Sequence, residues 1–147
     1  MPAFRFRLER ALDWRREQRE IEESGLARCV TALERSLARI AHLEAERQAI
    51  DRELVGRSSI PASDLAALSR YRLGAAQLAV SLEQERAQRR IDADRQRAKV
   101  QAARRKVSLL EKLRERRLAE HVQAEERELE NSAAESFLAR WTGQAAR

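Results

Sequence analysis

The sequence predicts an all-α fold: two long helices forming an antiparallel coiled-coil hairpin, with the second helix overhanging the first. Three observations carry that reading. Charged residues make up 37% of the chain and aromatic residues 4%, with 4 glycines and 2 prolines, so strong helix formers dominate and loop residues are scarce. The breakers gather in one place, Gly56-Arg-Ser-Ser-Ile-Pro-Ala-Ser-Asp64. Apolar residues recur at steps of three and four on both sides of that cluster, the pattern of a coiled-coil seam. The chain is read as a single hairpin domain over residues 1–147.

Helix 1 is expected over about 4–56, with its stripe at Leu8, Leu12, Leu26, Val30, Leu33, Leu37, Ile40, Leu43, Ile50 and Leu54. Gly56 suits the position after a helix end, where a positive φ is needed. The turn is expected over about 57–61 and helix 2 over about 62–141. Pro61 fits the first helical turn, because its missing N–H would be unpaired there anyway. Ser59 or Ser63 is the candidate N-cap, and Asp64 favours a helix N-terminus electrostatically. At about 1.5 Å per residue the two helices are roughly 80 and 120 Å long.

Helix 2 carries a matching stripe at Leu65, Leu68, Ala75, Leu78 or Ala79, Leu82, Ala93, Val100, Ala103, Val107, Leu110 and Leu113. A short connection makes the helices antiparallel neighbours. Folding at the breaker cluster pairs Leu54 with Leu65, Ile40 with Ala79, Leu12 with Val107 and Leu8 with Leu110, so both stripes align under one fold. Two departures stand out. The seam is charged between Arg15 and Arg19 and again between Arg86 and Arg90, which predicts a coil of marginal stability in isolation. Helix 2 also outruns helix 1, leaving Leu118, Val122, Leu129, Ala133, Phe137 and Trp141 as a stripe that nothing in the chain remains to cover.

Catalysis and cofactor chemistry find little support. The single cysteine excludes an intrachain disulfide and a cysteine metal cluster, and a reducing cytoplasm is the expected compartment. No stretch approaches the roughly 20 apolar residues of a membrane span, and the N-terminus lacks an apolar signal region, so no direct membrane insertion is expected. His42 and His121 stand alone and read as surface or seam histidines. Cys29, beside Val30, reads as a small apolar thiol on the seam flank. No Gly-rich phosphate loop or nucleophile elbow is present. The Glu/Arg runs satisfy helical i,i+4 pairing. No enzyme activity, metal or cofactor is therefore expected.

Binding is what remains. At about 100° per residue, Trp14 and Ile21 point nearly opposite Leu12, while Leu73, Val80 and Ile91 point nearly opposite Leu82. Large apolar groups on the outer face of a two-stranded coil lack a partner within it, and exposed tryptophans often anchor interfaces. The net charge of +6 is unevenly spread. Residues 1–56 are neutral overall, 57–117 carry +9 and 118–147 carry −3. The basic stretch Arg86–Arg117 lacks interleaved aromatics and any nucleic-acid module. It reads as a solvated or acid-facing surface, and no nucleic acid is expected.

The opening Phe4-Arg-Phe-Arg-Leu8-Glu-Arg-Ala-Leu12 resembles the F-x-F-x-L-x-x-x-L start of the flagellar FliJ family. The run Val107-Ser-Leu-Leu-Glu111-Lys-Leu113-Arg-Glu-Arg-Arg117 resembles the family's late "LEKLKER" segment, and Tyr71 falls where the family commonly has a tyrosine. The resemblance covers essentially the whole chain, departing where Leu129-Glu130-Asn131 replaces an acidic "LDE". It implies a stalk-like coiled coil of the flagellar type III export apparatus, similar to the central stalk of rotary ATPases and serving flagellum assembly, motility and chemotaxis. The partners it implies are the export ATPase ring, the membrane export gate protein and export chaperones. It implies a cytoplasmic location, peripherally at the inner face of the cell membrane.

Under that resemblance Phe4, Phe6, Leu8 and Trp14, with Leu110, Leu113, Leu118 and Val122, face the ATPase ring. Leu73, Val80 and Ile91 are candidates for the gate or a chaperone. The competing readings are the equivalent stalk of a virulence injectisome and a basic coiled-coil scaffold associated with nucleic acid.

Overall fold

A computed structural model describes residues 3–145, with residues 144 and 145 described by backbone only. Two helices account for the described secondary structure: α1, Glu9–Val55, and α2, Ala62–Ala145. No strand occurs among the described residues. The chain divides into two compact units, one spanning Glu20–Ala102 and the other combining the residues up to Arg19 with those from Ala103 onward. Both helices contribute to each unit.

In the Glu20–Ala102 unit, Leu43, Ala75 and Leu82 form a buried cluster against which Ile40, Tyr71 and Ala79 pack. The expected Ile40–Ala79 level is thus part of the core, and Ala79 rather than Leu78 supplies it, since Leu78 is exposed. Ala93 and Val100 continue the seam fully buried. Antiparallel packing is recorded by three cross-helix contacts: Asp51 with Arg72 at 3.1 Å, Arg39 with Glu85 at 2.9 Å, and Glu22 with Gln96. The last falls on the expected register. The ion pairs reach about one turn further along α2, because long side chains lean diagonally across the interface.

Several expected seam positions differ. Ser36, buried to 1% exposure, occupies the seam where Leu37 was expected, and Leu37 is exposed. The steps of three and four admit either residue, and the smaller one faces the partner. Leu65 is largely exposed and Leu54 half-buried, so their pair near the turn is peripheral. Cys29 is half-buried on the seam flank.

The turn departs from its expected chemistry. No glycine adopts a positive φ, so Gly56 ends α1 without the left-handed cap, its N–H reaching the Arg52 carbonyl at 3.4 Å. Ser59 lies outside α2 and Ser63 within it, and neither hydroxyl makes the cap. The Pro61 carbonyl instead accepts from the N–H groups of Asp64 and Leu65, at 3.1 and 3.2 Å. Arg57 ties the two helix ends, bonding Glu53 at 2.9 Å and Asp64 at 3.4 Å. Asp64 lies in the first turn of α2, as the dipole argument requires.

In the other unit, Leu12 and Val107 are essentially inaccessible, as their expected pairing demands. Arg16 bonds Glu111 at 3.0 Å and Arg114 bonds Glu9 at 3.1 Å across the helices. The charged stretch expected in α1 is present: Arg15, Arg16, Gln18 and Arg19 are half-buried where the stripe lacks apolar residues. In α2, Arg86 is half-buried and pairs with Glu83 on its own helix. Beyond Glu125 every α2 residue through residue 143 is exposed, including Leu129, Phe137 and Trp141, so the second helix overhangs as expected.

Candidate functional site: an aromatic groove and the outer helix faces

The main departure from expectation lies at the N-terminus. Helix 1 was expected from about residue 4, whereas residues 3–6 are non-helical, residues 7 and 8 form a turn, and α1 begins at Glu9. Alternation explains this. Phe4, Phe6 and Leu8 are two residues apart, a spacing that puts side chains on one side of an extended chain and scatters them around a helix. The Glu9 N–H closes the turn onto the Phe6 carbonyl at 3.2 Å.

The non-helical N-terminal segment lies against α2 of the same unit. Phe6 is buried, and Phe4 packs edge to face on His121, with ring centroids 5.6 Å apart at 81°. Such T-shaped pairs place a positive ring edge on a negative face. His121 is half-buried, with Nδ1 3.8 Å from Glu125. The N-terminal segment therefore covers α2 as far as His121, further than α1 alone would reach.

Phe4, Arg5, Phe6, Arg7 and Leu8 line one side of a groove of about 770 Å³, opposite Leu113, Arg117, Glu120 and His121 on α2. Its walls are apolar and its rim is mostly basic. Arg117 is paired with Glu120 at 2.9 Å. Arg5 and Arg7 are exposed and make no ion pair among the described residues.

Of the residues expected to face one partner, the structure brings Phe4, Phe6, Leu8 and Leu113 together in this groove. Leu110 is half-buried beside it in sequence, and Leu118 and Val122 are exposed without lining it. Trp14 stands apart, 51% exposed, with the Arg15 guanidinium 4.6 Å from its ring centroid. Leu73, Val80 and Ile91 are exposed in the other unit, as is Ile21. Sequence reasoning missed Arg5, Arg7, Arg117 and His121. His121 was set aside for want of metal-ligand neighbours; the helical register pairs Phe4 with about residue 115, and only the non-helical N-terminal segment carries Phe4 on to His121.

Among the described residues no group of His, Cys, Asp and Glu could hold a metal ion. No described helix is long and apolar enough to cross a membrane. Tyr71 is raised above the usual phenol value by desolvation first and by the nearby Glu46 carboxylate second. It contributes to the core cluster of the Glu20–Ala102 unit and lies outside the groove.

The two packed helices define an all-α, coiled-coil hairpin protein. The family model "Flagellar FliJ protein" matches residues 4–132, and the chain belongs to that family. It is accordingly a component of flagellar type III protein export, of the stalk type. No curated protein and no solved structure matches the chain.

Proposed function

We propose that this chain is the stalk that engages the ring of the flagellar export ATPase and links it to the membrane export gate and to export chaperones. The observation that supports this most directly is the groove at the Phe4–Leu8 segment. Four of the residues within the motifs that carry the family resemblance, Phe4, Phe6, Leu8 and Leu113, line a single exposed concavity. Membership of the family over residues 4–132 supplies the export context and favours the flagellar system over a virulence injectisome.

Trp14 and the exposed Leu118 and Val122 extend the ATPase-facing surface. Leu73, Val80 and Ile91 are assigned to the gate or a chaperone, since each is a large apolar side chain left in solvent on a helix that already has a partner. The protein works peripherally at the inner face of the cell membrane through those partners, and its loss abolishes flagellum assembly, swimming and chemotactic spreading.

The test is a pull-down of purified export ATPase by the full chain, followed by ring assembly and ATP hydrolysis with and without it. Association with enhanced ring formation and hydrolysis is expected. Absence of both removes the stalk reading. Tight, strongly salt-dependent binding to duplex DNA without any effect on the ATPase favours the basic scaffold instead.

A further inference from the structure

We propose that the N-terminal groove recognises an acidic apolar segment of the partner, in which a carboxylate side chain sits beside a large aliphatic or aromatic one. This rests on the reading that the Phe4–Leu8 surface meets the export ATPase, and it specifies the chemistry of that contact.

Charge on the groove's rim carries the first part of the argument. Its acidic member, Glu120, is engaged by Arg117 at 2.9 Å. Glu9, next along the chain, is engaged by Arg114 at 3.1 Å. Arg5 and Arg7 are left over, exposed and without an ion pair among the described residues. Two planar guanidiniums two residues apart ahead of α1 suit carboxylate, because each presents parallel N–H donors to two oxygens. An arginine beside an apolar wall gains more from such a pair than one in open water, since the bound segment displaces solvent.

Shape carries the second part. A volume of about 770 Å³ lies in the range of sites that enclose a few side chains. Phe6 and Leu113 supply apolar walls, and Phe4 on His121 closes one side with a fixed aromatic pair. That wall demands an apolar group from the occupant as well as a carboxylate. Duplex nucleic acid would use a long row of phosphate contacts and would leave the aromatic wall unused.

The experiment titrates the full chain against purified export ATPase by calorimetry at two salt concentrations. It is paired with binding of overlapping peptides tiled along the ATPase sequence. The double variant Arg5→Glu/Arg7→Glu is expected to weaken ATPase binding at least about tenfold and to reduce its salt dependence. Arg5→Lys/Arg7→Lys retains most of the affinity. Arg70→Glu, on an exposed site outside the groove, leaves it unchanged.

Helicity of the Arg5/Arg7 variants stays at the parent level, because both residues precede α1. Binding peptides are expected to place Asp or Glu next to Leu, Ile or Phe. If the glutamate variant binds the ATPase as tightly as the parent, or the binding peptides are basic or uncharged, the groove's proposed chemistry is wrong while the stalk reading stands. If the parent chain itself does not bind the ATPase, the stalk reading fails and takes this inference with it.

Discussion

The side-chain amide of Gln96 donates to the backbone carbonyl of Glu22 at 3.0 Å and to the Glu22 carboxylate as well. Gly25, almost one turn on in α1, makes room for it: a Cβ there would stand 2.8 Å from Gln96 Nε2. A half-buried amide with a specific partner favours one register, because a slip breaks both of its bonds to Glu22.

This predicts that Gly25→Ala behaves differently in two backgrounds. In a Gln96→Ala chain it stabilises by about 1 kcal/mol, the helix-propensity difference between Gly and Ala. In the parent chain the gain vanishes, because the new methyl displaces a bond worth about 1 kcal/mol or more. Urea unfolding of the four proteins measures the coupling, and equal effects in both backgrounds would count against the clasp.

Ser36 makes the opposite case. Its hydroxyl is buried in the seam with no hydrogen-bond partner. Removing an unsatisfied polar group recovers its desolvation cost, so Ser36→Ala should raise stability by about 1 kcal/mol. A lower unfolding midpoint would mean that the hydroxyl has a partner in solution.

Tyr71 is the single tyrosine of the chain, which makes its ionisation directly observable. Desolvation, then Glu46, raises its pKa above 10 in the folded chain. The folded state therefore holds the phenol proton more tightly than the unfolded state. The resulting stability is fully present below pH 10 and declines as pH rises through the folded pKa. Phenolate absorbance should show ionisation later than in a free tyrosine. Glu46→Gln should move it back towards 10, and an unmoved titration would exclude Glu46 as a cause.

Trp14 is half in solvent, held only by Arg15 among the ring contacts described. Trp14→Ala should weaken binding of the export ATPase by about tenfold or more, as loss of an interface anchor does. Helical circular dichroism should stay near the parent value. A large loss of helicity would show that the indole supports the fold.

The cross-helix pairs Arg16–Glu111 and Arg39–Glu85 are all at least one-third exposed. Double-mutant cycles on either should return less than about 1 kcal/mol, and the value should shrink with added salt. A larger, salt-insensitive coupling would indicate burial that the exposed positions do not show.

The helices were legible because their cause is local. Steps of three and four at Leu12, Leu43, Leu82 and Val107 are periodic, and those residues are buried. The turn was placed by its breakers but not by its detail, since Gly56 tolerates a left-handed φ without requiring one. Ser36 was missed because periodicity weighs hydrophobicity, while close helix packing weighs size. The groove was half legible. Phe4, Phe6 and Leu8 stood out as apolar but were placed inside helix 1, although α1 begins only at Glu9. Arg5 and Arg7 became meaningful only once the segment before Glu9 lay against Leu113 and His121, a contact between residues more than a hundred positions apart.

The bare end of α2 has a consequence for the chain before it meets anything else. Residues 118–147 expose Leu129, Phe137 and Trp141 on a segment holding 6 glutamates against 3 arginines. Like-charged copies repel before their apolar faces can touch, so the segment acts as its own colloidal stabiliser. That protection is electrostatic, so added salt screens it and lets the apolar faces of separate copies meet, which ties the solubility of the unassembled protein to ionic strength.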